Sequence, residues 1–412
     1  MSLSSVTRSA SNERESVADL EPPRRLLQDL LSVVRAHLRM DVAFVSRVAG
    51  GSYTLEHLDA DPGFPLQEGA SGPVEETYCA RVLDGRIPGL IIDAAQEPGV
   101  ADLAATRQLP IRSHLSVPVS MADGSVYGTL CCFSRAVEPS LNERDLNALR
   151  MFADIVSKHL EPLVVRERTI ADARERIEAV LDEGGPAIAL QPIFDLATDQ
   201  VSGYEALARF PAGAWNTEQW FVAAHGAGMG TALESAAVHA AVSILPKLPQ
   251  HLSLAINVSA PALLTSASIA TLFARPDGAR LVLEVTEHQQ IADPHRLGEI
   301  LARVRAAGVR VAVDDAGSGY SGLQRILTLN PEVIKLDRLL VDGVAHHQGR
   351  QAMCEAMANF ARRSGATIVA EGIETEADLT ALRDLGVTHA QGYLLGRPRL
   401  WSAMTQDRLA NP

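Results

Sequence analysis

Apolar residues at Leu27, Leu30, Leu31, Val34 and Leu38 recur at helical spacing and predict a helix over Arg24 to Leu38. Short segments with strand character follow at Asp41 to Val48 and Tyr53 to Leu58, with Gly50-Gly51 as the turn between them. Further strands are expected at Leu90 to Asp93, Ser116 to Met121 and Val126 to Phe133, the last two joined as a hairpin through Asp123-Gly124. This order describes a small α+β domain, not a βαβ array. Ser140-Leu141-Asn142-Glu143 then reads as a capping box opening a helix that carries Leu149, Phe152, Val156, Leu160 and Leu163. Pro162 should kink or interrupt that helix, and a second helical run is expected over Arg166 to Leu181.

Beyond Gly184-Gly185-Pro186 the pattern becomes strand–helix alternation. Candidate strands are Ala187 to Phe194, Val201 to Phe210, Leu252 to Val258, Arg280 to Thr286, Val309 to Asp314, Val333 to Leu336, Ala366 to Ala370 and His389 to Tyr393. The loop Asp195 to Gln200 is too short for a helical crossover, so the first two strands should be antiparallel. Eight strands over about 220 residues otherwise fit a (β/α)8 TIM-like barrel. An open doubly wound sheet is the competing architecture, and no GxGxxG supports it.

Composition narrows the function classes. The formal net charge of −13 argues against bulk attraction to nucleic acid, so no DNA binding is expected. No apolar run approaches the roughly 20 residues of a membrane span, and the start lacks a signal-peptide pattern. The four cysteines form neither a disulfide framework nor a zinc spacing, which reads as reduced thiols in a cytoplasmic protein.

The chemistry gathers at the strand ends. Val311 to Val313 delivers Asp314 and Asp315 beside the small loop Ala316 to Gly319, and Val333-Ile334 delivers Lys335 and Asp337. Glu205, Asn257, Glu284, Glu371 and Gln391 occupy corresponding places on other strands. Buried acids at this density repel one another by several kcal/mol unless cations lie between them. Carboxylates with one Asn amide select hard cations, so Mg²⁺ or Mn²⁺ is expected and zinc is not.

Glu205-Ala206-Leu207, with Arg209, resembles the motif that names the EAL phosphodiesterases of bacterial cyclic di-GMP signalling. The resemblance runs from about Ala171 to Pro398 through LQPIFD, INVS, LEVTE, DDAGSGYSGL, IKLD, AEGIET and QGYLLGRP, in that order. The first half, from Arg24 to Leu160, resembles a GAF sensory domain through ETYCARVLDG, SVPV and YGTLCCFS. The expected plan is a disordered tail over 1–20, a GAF-like domain over 21–139, a helical connector over 140–183 and the barrel over 184–412.

The resemblance implies two divalent ions held by Glu205, Asn257, Glu284, Asp314, Asp315 and Glu371. It implies catalytic roles for Lys335, Glu205 and Glu371, and substrate contacts from Gln191, Leu207, Arg209, Asp337 and Gln391. Thr286, Glu287 and Glu374 would anchor the loop after Asp315. The implied reaction opens cyclic di-GMP to linear 5′-pGpG under GAF control, in a homodimer; the competing reading is a silent cyclic di-GMP receptor. The chain departs from the family where Ala316 replaces a common phenylalanine, which removes an apolar anchor from the loop, and where Leu190 replaces an aromatic. Cys79 and His114 could be offered as pigment or haem ligands, but a lone Cys and a lone His rarely signal ligation, and the favoured reading is a buried thiol and a surface or core histidine. The connector either packs within the chain or pairs two chains as a coiled coil.

Overall fold

The computed structural model describes residues 21–101, 103–213, 215–273, 275–286, 293–316 and 320–404, and contacts divide the chain after Arg168 into two compact units. The expected tail over 1–20, Glu287 and Gly317–Gly319 lie outside the described residues, as does the side chain of Asp315. No described helix is long and apolar enough to cross a membrane.

The first unit is built on a six-stranded antiparallel sheet of β1 (Val42–Ala49), β2 (Ser52–Ala60), β3 (Ser71–Pro73), β4 (Leu90–Ile91), β5 (Ser113–Ser120) and β6 (Val126–Ser134). The strand order is β3-β2-β1-β6-β5-β4. Alternation along the strands serves both faces. Ala43, Val45, Val117, Leu130 and Cys132 pack with Leu27, Leu31 and Leu149 from the helices Glu21–Leu38 and Glu143–Asp182. Val42, Phe44, Cys131 and Phe133 pack on the other face with Tyr78, Cys79 and Ile87. That double cover explains why the central strands read as nearly continuous apolar runs.

Two sequence expectations about the connector change. Its cap is Asn142, whose Oδ1 accepts from the Arg144 amide at 2.9 Å while Asp145 Oδ2 accepts from the Asn142 amide at 2.9 Å, so the capping box lies two residues later than Ser140–Glu143. One helix, Glu143–Asp182, continues through Pro162 where an interruption was expected. Pro162 and Lys158, whose carbonyl loses its helical partner, both lie on the exposed face, where solvent is available to the freed oxygen. Leu149, Val156 and Leu160 are buried in the first unit's core, and Ala173, Ile177 and Val180 in the second unit's, so packing within the chain accounts for these positions of the seam.

His114, on β5, is buried against the Tyr78 ring with centroids 4.6 Å apart, and its Nδ1 has no hydrogen-bond partner among the described residues. Cys79 is a free, buried thiol. Burial pushes the His114 pKa down to about 3, so the unfolded chain takes up a proton near pH 6.5 that the folded unit refuses. Stability from this group is present above pH 6.5 and is lost as pH falls, by about 2 kcal/mol between pH 7 and pH 5. Hydrogen exchange of β5 and β6 peptides in the full chain, corrected for intrinsic rate, should show this loss of protection, and His114→Gln should flatten it.

The second unit is a closed barrel of β7 (Ala187–Asp195), β8 (Gln200–Arg209), β9 (Ser253–Ser259), β10 (Leu281–Thr286), β11 (Arg310–Ala316), β12 (Val333–Leu336), β13 (Thr367–Ala370) and β14 (His389–Ala390). β8 through β14 pair in parallel in sequence order, and β7 closes the ring antiparallel to both β8 and β14. The short Asp195–Gln200 connection forces that one reversal. β15 (Arg399–Leu400) adds to the outside of β7. Helices between the strands bury one face on the barrel, as Leu297, Ile300, Leu301 and Val304 of Pro294–Ala306 do.

Candidate active site

Period-two alternation organises the barrel interior. Ala255, Val282, Ala312, Val333 and Val369 point inward and form an apolar layer with Ile193. Two residues further along each strand stand Asn257, Glu284, Asp314, Lys335 and Glu371, so the same interior turns polar at the C-terminal end. Lys335 Nζ lies 2.6 Å from Glu371 Oε1, 2.9 Å from Glu284 Oε2, 3.5 Å from Glu205 Oε2 and 3.6 Å from Asp314 Oδ1. Asn257 Nδ2 donates to Glu205 Oε1 at 2.8 Å, and Gln391 Nε2 donates to Glu205 Oε2 at 2.7 Å and to Gln191 Oε1 at 3.0 Å. Seven elements of the barrel thus meet around one ammonium group.

The electrostatics follow from one cation among four carboxylates. Burial opposes the charge on Glu205, but Lys335 and the amides of Gln391 and Asn257 outweigh it and hold the carboxyl below its usual range. Glu284, just 1% exposed, is pushed well above that range by burial, which Lys335 only partly offsets against the neighbouring acids. Burial likewise pushes Glu371 up to about 8. Lys335 is held charged, burial notwithstanding, by Glu205, Glu284, Glu371 and Asp314. Ion pairs this dry cost several kcal/mol per ion in lost hydration, so such a cluster points to function more than to stability.

Residues 174–398, more than half of the chain, match the family model for the EAL domain. The chain belongs to the EAL family. Residues 22–160 match the GAF domain, which places a GAF domain ahead of the EAL barrel. A probable cyclic di-GMP phosphodiesterase of Escherichia coli, PdeB, is 30% identical over 244 residues, covering 56% of this chain and 46% of the relative. A cyclic di-GMP phosphodiesterase of Pseudomonas aeruginosa is 32% identical over 234 residues, covering 54% of this chain and 40% of the relative. The chain therefore spans less than half the length of these curated relatives. Among solved structures, the PaMucR phosphodiesterase in its c-di-GMP complex is 28% identical with a TM-score of 0.50, covering 57% of this chain and 99% of that one.

The other residues that the EAL motif singles out are spread around this centre. Arg209 ends β8, with Nη1 on its neighbour's carbonyl, Ala208 O, at 2.9 Å; Leu207 is half-buried on the same strand. Gln191 is fixed on β7 by donating to Gly396 O at 3.1 Å. Asp337 caps the short helix Arg338–Val341, its Oδ1 accepting from the Leu339 amide at 2.5 Å, a structural task its position in IKLD did not announce. Thr286 ends β10, and Glu374 pairs with Arg338 at 2.9 Å; Glu287 and the loop these residues were expected to hold lie outside the described residues. One supporting residue gave no signal in the sequence. Glu234, buried in a helix, accepts from the amide and hydroxyl of Ser259 at 3.0 and 2.9 Å and so fixes the strand end just past Asn257.

The donor set is chemically coherent. Glu205, Asn257, Glu284, Asp314 and Glu371 offer only oxygen to an ion, the preference of hard divalent cations. Among the described residues, no three acidic, histidine or cysteine side chains close into a ready cage, because Lys335 sits where the acids converge. Glu284 and Glu371, offered to an ion, are the same carboxylates that Lys335 holds.

Proposed function

We propose that the EAL barrel is a metal-dependent phosphodiesterase that hydrolyses cyclic di-GMP to linear 5′-pGpG, with the GAF domain as its regulator. The observation that carries the proposal is the convergence of Glu205, Glu284, Asp314 and Glu371 on buried Lys335 at the C-terminal end of an EAL-family barrel. Glu205, Asn257, Glu284, Asp314, Asp315 and Glu371 would hold two ions, Mg²⁺ or Mn²⁺. Bound there, divalent ions supply an acidified water and neutralise charge at phosphorus.

The chain's own groups do the remaining work. Arg209 has donors beyond its contact to Ala208 O, and its planar fork suits a phosphate oxygen. Gln191 and Gln391 hold each other and Glu205, which fixes the wall against which the diester is placed. Lys335 orients the attacking water, and Glu371 Oε1, against its ammonium, is the acceptor in reach for a proton. Leu207 and Asp337 complete the substrate wall in this reading.

The full chain incubated with cyclic di-GMP and Mn²⁺ or Mg²⁺ should yield the linear dinucleotide on chromatography. Ca²⁺ should support the reaction poorly, because its longer and looser coordination spoils in-line geometry. Tight binding without product under Mn²⁺ and Mg²⁺ would instead identify a receptor.

A further inference from the structure

The N-terminal end of the barrel holds a cavity of about 420 Å³ that the proposed hydrolysis does not use. Its origin is legible in the interior layer. Barrel cores are usually filled by bulky branched side chains, yet β9 contributes only Ala255 to this layer where the cavity passes it. The cavity runs past Ala255, Val282, Val333 and Val369 and ends on Glu284 and Lys335, the underside of the acid cluster.

Arg280 and Arg310 bring positive charge to its lining, and His251, His389, Ser253 and Thr367 add neutral polar groups. Among the described residues Glu284 is the only carboxylate in the lining, and it is committed to Lys335 at 2.9 Å. Arg280 is rigid, with Nε on Leu252 O at 3.1 Å and Nη2 on Leu248 O at 3.1 Å and Pro249 O at 2.8 Å. Arg310 differs. It is half-buried at the first position of β11 and lines the cavity. Glu332 attracts the Arg310 charge without a hydrogen bond to it, and burial outweighs that attraction. Glu332 accepts from Arg305 Nε and from the Val311 amide, both at 2.8 Å, and Asp195 accepts from the Ala197 amide at 2.8 Å. A half-buried guanidinium that faces a cavity, with burial outweighing its one attracting acid, has donors to offer an anion there.

We infer that this cavity is a second binding site, for a small oxyanion of the phosphate class, with Arg310 as its principal ligand and Arg280, Ser253 and Thr367 around it. The volume falls within the range of small-ligand pockets. Because its far end is formed by Glu284 and Lys335, an occupant shares two residues with the opposite end of the barrel.

The test uses the full chain stripped of divalent ions and inorganic phosphate as probe, read by calorimetry at constant ionic strength against chloride. Stripping leaves the C-terminal cluster acidic and repulsive to phosphate, so saturable one-to-one binding reports the cavity. Arg310→Gln should weaken it at least about tenfold, the loss expected for one charge-assisted contact. Arg209→Gln, at the other end of the barrel, should leave it unchanged. In the wild-type chain, phosphate should also protect Arg310 from phenylglyoxal, as mapped by peptide mass spectrometry, which needs no variant to fold. A parallel titration with 5′-GMP separates the two sources of this chemistry: tighter binding than phosphate marks a phosphomonoester site, and weaker binding a free-anion site. Absence of saturable binding, equal affinity in Arg310→Gln, or an unprotected Arg310 would each overturn the inference.

Discussion

Lys335→Ala is expected to reduce turnover of cyclic di-GMP by at least about a hundredfold, the usual scale for removing a positioned proton-handling group. The same change should cost the metal-free barrel about 3–5 kcal/mol, because it strips the one cation from acids that remain buried. Glu284 Oε2 and Glu371 Oε1 lose partners at 2.9 and 2.6 Å, and Glu205 and Asp314 lose one at 3.5 and 3.6 Å. The two effects separate under Mn²⁺. Divalent ions restore positive charge among the carboxylates, so the melting temperature of the variant should rise on adding Mn²⁺ by more than that of the wild type. Turnover should not return with it. Lys335→Arg keeps the charge but forces a larger planar head into a site just 1% exposed; it should keep more of the stability and little of the activity. Wild-type turnover in Lys335→Ala would remove the lysine from the mechanism altogether.

Much of this site was readable before the structure because a parallel barrel repeats a simple rule. Each β-branched run ends in a polar residue, and alternation guarantees that residues two apart share a face, so Val282 and Glu284, or Val333 and Lys335, had to point the same way. The antiparallel β7 was readable for the same kind of reason, since six residues cannot hold a crossover helix. What escaped the sequence depends on which of several similar residues wins locally. Ser140 and Asn142 are both competent caps, and only the position of the first helical turn chose Asn142 with Asp145. Pro162 is easier to keep inside a helix where it and the turn before it face outward, and exposure is a tertiary fact. Glu234 lies among alanines with no motif, yet it ties down Ser259 from another element. The cavity beneath Lys335 is likewise absent from any string: Ala255 is an ordinary strand alanine until ring closure turns it inward.

Gly392→Ala should be the most damaging of the small substitutions in the barrel, and its effect should reach both stability and turnover. Gly392 is not left-handed, so conformational freedom is not what requires it. Space is. A Cβ there would stand 2.1 Å from Ile373 O, 2.3 Å from Ile373 N and 2.7 Å from Ile373 C, all backbone atoms that no rotamer change can move. That backbone is held by the Ile373 amide donating to Gln391 O at 3.2 Å and the Leu394 amide donating to Ile373 O at 3.1 Å. Any relief must separate the segment carrying Glu371 from the one carrying Gln391, which would spoil the 2.6 Å contact to Lys335 and the 2.7 Å contact to Glu205 together. Overpacking of this kind costs about 3 kcal/mol at the upper end of its usual range, a fall of roughly 6–12 °C in melting temperature for a unit of this size. Turnover should drop by more than tenfold, since displacements near 1 Å at positioning groups have effects of that order or larger. Gly298→Ala is the matched control. It lies exposed in the helix Pro294–Ala306 with nothing within 4 Å of its added Cβ, so it should stabilise by about 0.5–1 kcal/mol and leave turnover unchanged. If Gly392→Ala melted and turned over like Gly298→Ala, the close approach of these two strand ends would not be what holds Glu371 and Gln391 in register.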